Sequence, residues 1–95
     1  MKESQSLTNN LLMEVDFLSN RLRNIKQSYK TTENKALKVR LFSENNNLFN
    51  RVNEIYKIAE LLNKNNGKIN FSNLLFEITK RTLNEYKFES NLFFL

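Results

Sequence analysis

Leu41, Leu48, Ile55 and Leu62 fall at every seventh residue, and Asn45, Val52 and Ala59 follow the first three of them by four. A seven-residue repeat split four and three puts one stripe of an α-helix on a single line, and such a stripe exists to be pressed against another helix. An earlier segment carries the matching pattern. Leu11, Val15, Leu18, Leu22, Ile25 and Tyr29 are spaced 4, 3, 4, 3, 4, with Leu7, Leu12 and Phe17 widening the apolar face. The two seams predict a helical hairpin, with helices over about residues 6–30 and 33–63.

Turn chemistry points the same way. The chain has no proline and a single glycine, Gly67. A β-rich fold of this size needs many tight turns, and tight turns normally draw on glycine and proline. The fold class is therefore all-α. Thr31 and Thr32 are poor helix-interior residues and good N-caps, with Glu33 suited to a following first turn, so the break between the helices falls there. Asn45-Asn46-Asn47 weakens the second helix locally, but the apolar phase runs unbroken from Leu41 to Leu48 and favours one continuous helix. Asn63 to Lys68 forms a loop, with Gly67 placed to cap the preceding helix. A third helix is predicted over about 72–91. Ser72 would be its N-cap, Phe71 and Phe76 a hydrophobic staple, and Leu74, Leu75, Ile78, Leu83 and Tyr86 its apolar positions. Phe42, Phe49 and Tyr56 flank the ladder of the second helix and offer that third helix a surface. The expected architecture is a long antiparallel hairpin plus a C-terminal helix, three-helix bundle-like and open to dimerisation.

The 95 residues suit one small domain, 1–95, with no interior linker. A chain this short buries roughly 60–65% of its surface, so docking on a partner or a second copy would add stability it otherwise lacks. Without histidine or cysteine, the commonest general base and the most reactive nucleophile are both missing, as are the thiol ligands of zinc sites. No glycine-rich phosphate loop occurs. Glu14 and Asp16 lie two apart, which is wrong for a carboxylate pair on one helical face, and Glu33, Glu44, Glu54 and Glu60 read as surface charges. The chain is expected to be non-catalytic, with no cofactor and no metal. An electrostatic helical enzyme holding an anionic substrate would need residues such as Arg23, Lys35, Lys38 and Arg51. The polar N-terminus lacks the apolar stretch of a secretory signal, and no apolar run reaches the roughly 20 residues of a membrane span, so a cytoplasmic location is expected.

Charge supplies the functional lead. The net charge is +5, yet residues 21–40 alone carry +6, from Arg21, Arg23, Lys26, Lys30, Lys35, Lys38 and Arg40 against Glu33. Such a concentration steers an acidic protein partner or neutralises nucleic-acid phosphates. The cations do not repeat on one helical stripe, and only Tyr29 lies nearby for base stacking, which favours the protein partner. Asn45 within a leucine ladder after basic residues resembles a zipper, but the flanking aromatics and the third helix favour an intrachain hairpin. The last residues, Leu92-Phe93-Phe94-Leu95, are apolar where chain ends are usually polar. They close the core, form an anchor for a partner groove, or attach to a membrane surface with help from the basic block. The functional expectation is an adaptor, regulatory subunit or assembly factor, with Phe93, Phe94 and Leu95 as contact residues. Arg21, Arg23, Lys26 and Lys30 form the charged rim.

Overall fold

The structure is a computed structural model and describes residues 2–65 and 70–87. Three helices follow one another, α1 (Lys2–Thr31), α2 (Lys35–Asn65) and α3 (Asn70–Tyr86), and no strand occurs among the described residues. The molecule is an all-α, three-helix bundle. The first two helices have 30 and 31 residues and the third has 17, so α3 is shorter than its neighbours by about 20 Å at 1.5 Å per residue. The overall extents are 49 × 20 × 15 Å, a rod one helix long.

The 4-3-4 seam of α1 is the core: Leu11, Val15, Leu18, Leu22, Ile25 and Tyr29 are all buried. In α2 the fully buried line is Asn45, Val52, Ile55 and Ala59, while Leu41, Leu48 and Leu62 are half-buried. The companion positions thus face the interior more squarely than the leucines of the ladder. Leu75 and Tyr86 of α3 complete the cluster, with Phe76, Ile78 and Leu83 packed at its edge. Each large apolar side chain removed from water contributes about 1.5–3 kcal/mol before the entropy of ordering is set against it. Tyr56 stacks on Phe76 with ring centroids 5.1 Å apart, so the aromatic flank of α2 does meet the third helix. Leu7 and Phe17 instead stay exposed, at 45% and 62%, because they lie to either side of the narrow α1 seam.

The helix ends differ from expectation in instructive ways. Asn34, and neither Thr31 nor Thr32, caps α2: its Oδ1 accepts the Leu37 amide at 3.1 Å, while its carbonyl accepts the Lys38 amide at 3.0 Å. The helix therefore starts at Lys35 and leaves Glu33 outside it. Thr31 serves the end of α1, donating its hydroxyl towards the carbonyls of Gln27 at 3.1 Å and Ser28 at 3.3 Å. Thr32 Oγ1 accepts the Asn34 amide at 3.2 Å and shapes the connection, which uses no left-handed residue and so has no need of glycine. The helix of α2 continues through Asn45-Asn46-Asn47 to Asn65. α3 begins at Asn70, which places Ser72 inside its first turn and not at the cap, and Lys87 has already left the helix. Gly67, the Phe71 side chain of the expected staple, and positions 88–91 of the predicted helix lie outside what is described. Two threonines enter the α3 core where an apolar pattern would not place them. Thr79 and Thr82 are buried, and their hydroxyls return to the carbonyls of Leu75 and Ile78, each at 2.9 Å, which satisfies them within the helix.

Candidate functional site

Two ion pairs fix how α1 and α2 lie against each other. Arg51 grips Glu14 side-on, Nε to Oε2 at 2.5 Å and Nη2 to Oε1 at 2.9 Å, and its remaining Nη1 reaches Glu54 at 3.1 Å. Arg21 pairs with Glu44. Glu14 and Arg21 are seven residues apart on α1, as Glu44 and Arg51 are on α2, so both pairs belong to one antiparallel register. The forked hydrogen bonding from Arg51 holds the Glu14 carboxyl below its ordinary range, and the two carboxylates raise Arg51 in return. Those groups are a third or more exposed, so each pair adds at most about 1 kcal/mol, and its main effect is on register. Glu44 and Glu54 are surface charges as expected, and with Glu14 they are also partners of arginines. The signal for them was present in the opposite-sign, seven-residue spacing on the two helices.

This register divides the four cations of the expected rim. Arg21 points to the α2 side of α1 and is engaged by Glu44. Contrary to the expectation that the cations share no helical stripe, Arg23, Lys26 and Lys30 occupy one face, at i, i+3 and i+7, where they line one shallow depression of about 380 Å³ with Gln27, Glu85 and Tyr86. The depression sits where α3 ends. Tyr86 is buried, with 4% of its surface exposed, and Lys26 Nζ lies 5.8 Å from the centre of its ring. Arg23 lines the same depression as Tyr86, whose hydroxyl is the main neighbour acting on its charge. That neighbour, with smaller contributions from Glu85 and Asp16, holds its guanidinium proton more tightly than usual. The last turn of α3 contains no basic residue of its own, so Arg23 and Lys26 also place positive charge near its carbonyl end.

Near the turn that joins α1 and α2, Lys38 Nζ stands 5.1 Å from the centre of the buried Tyr29 ring. Arg23, Lys35, Lys38 and Arg51, the set an electrostatic enzyme would need, do not converge: Arg23 alone of them lines the depression, and Arg51 is held by two carboxylates. Among the described residues no three acidic, histidine or cysteine side chains gather as a metal site would require, and no helix is long and apolar enough to cross a membrane. Phe93, Phe94 and Leu95 lie outside the described residues. No family model matches the chain, and neither a curated protein nor a solved structure shows significant similarity to it.

Proposed function

We propose that this protein is a small, non-catalytic, cytoplasmic helical interaction module, an adaptor, regulatory subunit or assembly factor. It binds a protein partner at the end of the bundle where α3 stops. The observation that carries the reading is the gathering of Arg23, Lys26 and Lys30 on one face beside Tyr86. From that point the chain runs on towards its apolar terminus. Phe93 follows Lys87 by six residues in the sequence. A cationic face and an apolar anchor so joined would supply steering and contact area to the same partner.

One feature favours a protein partner over nucleic acid. Tyr29 and Tyr86, the tyrosines beside the cations, are buried and present no open ring for base stacking.

Deleting residues 92–95 should weaken capture of the native partner while helicity, read by circular dichroism, stays close to that of the intact chain. If the truncated protein unfolds, the tail belongs to the core and this reading of it fails. A solution mass measurement tests whether the partner is a second copy.

A further inference from the structure

We infer that the depression between α1 and the end of α3 receives an acidic segment of the partner, with carboxylates repeating at helical spacing. The inference rests on the proposed reading and names the chemistry of the contact. Arg23, Lys26 and Lys30 stand at i, i+3 and i+7 on α1, which spreads their attachment points over about 10.5 Å of helix axis. A row of that length matches several separate single charges better than one compact dianion. Glutamates three to four residues apart on a partner helix recur at the same intervals. Glu85 on the opposite wall discriminates in the same direction, since it repels a phosphoryl dianion more strongly than a single carboxylate. Tyr86 is buried and lies under the Lys26 ammonium, while Arg23 and Lys30 are exposed beside it, so the cations stay available to an occupant. The depression is shallow, as suits a segment lying along it, and Gln27 adds an amide between the charges for the segment's polar groups.

The assignment separates residues that the sequence groups together. Arg21 is paired with Glu44 and does not line the depression, so it lies outside the contact. Lys26 and Lys30 are the residues whose charge the partner reads.

The test uses the full chain, labelled with nitrogen-15, and an alanine-based helical peptide bearing glutamates at i, i+4 and i+7, with a glutamine version as control. The glutamate peptide should shift the amides of residues 23–30 and 85–86, and the control should not. Affinity should fall about tenfold or more in the K26Q/K30Q double variant and stay within about twofold in R21Q. Glu85→Gln should tighten binding by about threefold, which keeps the inference testable should the double variant fold poorly. Shifts scattered over all the basic residues, or equal losses in R21Q and K26Q/K30Q, would overturn it. So would inorganic phosphate or a single-stranded oligonucleotide that moves the same amides at lower concentration than the peptide. If the peptide fails while deletion of residues 92–95 still abolishes native capture, this inference falls and the proposed function stands. If the peptide binds and the deletion changes nothing, the basic contact stands and the tail anchor falls.

Discussion

Asn45 and Ile55 sit on the same line of α2, both fully buried, and their energetic roles are opposite. Ile55 is surrounded by apolar neighbours, so Ile55→Ala should cost about 2–5 kcal/mol in chemical denaturation. Asn45 is 1% exposed and, among the described residues, its Oδ1 meets no hydrogen-bond donor, an arrangement that costs about 1–3 kcal/mol. Asn45→Ala removes that penalty and adds helix propensity while opening a small space, so stability should change by less than about 1 kcal/mol. A loss as large as that of Ile55→Ala would show that the amide is satisfied in solution. Arg51 gives a test in pH. The folded Glu14 carboxyl is depressed, so the stability its pairing confers is present above the ordinary carboxylate range and is lost as pH falls through the lowered value. Arg51→Met should therefore lower stability by up to about 1 kcal/mol at neutral pH and by nothing measurable at about pH 2. An equal loss at both pH values would mean that Arg51 acts through packing of its stem.

At the scale of elements, the turn between α1 and α2 shows how far the chain was legible. The 4-3-4 seams placed both helices and their buried residues, because burial follows periodicity directly. The cap was misplaced by two or three residues, since Thr31, Thr32 and Asn34 are all competent and only geometry chooses among them. Asn34→Ala should cost about 1 kcal/mol, Asn34→Asp should be tolerated, and Thr31→Ala should be close to neutral, as measured by denaturation midpoints. A Thr31→Ala loss exceeding that of Asn34→Ala would contradict the assignment. Thr79 and Thr82 escaped sequence reading for a related reason: a hydroxyl that bonds its own helix behaves as an apolar group, and nothing in a hydropathy pattern reveals it. The split of Arg21 from Arg23, Lys26 and Lys30 was implicit in their helical spacing. It became readable only with the register set by Glu14, Arg51 and Glu44.

Across the whole molecule, the buried positions are not evenly distributed: none lies between residues 30 and 44, while Tyr29 and Asn45 bound that stretch. Free energy of opening follows local burial, so the hairpin end should exchange its amide hydrogens through local opening. Amides of residues 32–40 should exchange at least about tenfold faster than those of Leu18, Leu22 and Val52 under native conditions. Uniform protection along the rod would show the molecule to open only as a unit. The chain contains no tryptophan and three tyrosines. Of these, Tyr56 is stacked on Phe76 in the bundle, whereas Tyr29 and Tyr86 each lie beneath a lysine ammonium of the basic end. The near-ultraviolet signal is thus divided by neighbour, one half-buried ring stacked on a phenylalanine and two buried rings each beside a lysine ammonium. An occupant that draws Lys26 away from Tyr86 writes its arrival into the protein's own absorption, with no label attached.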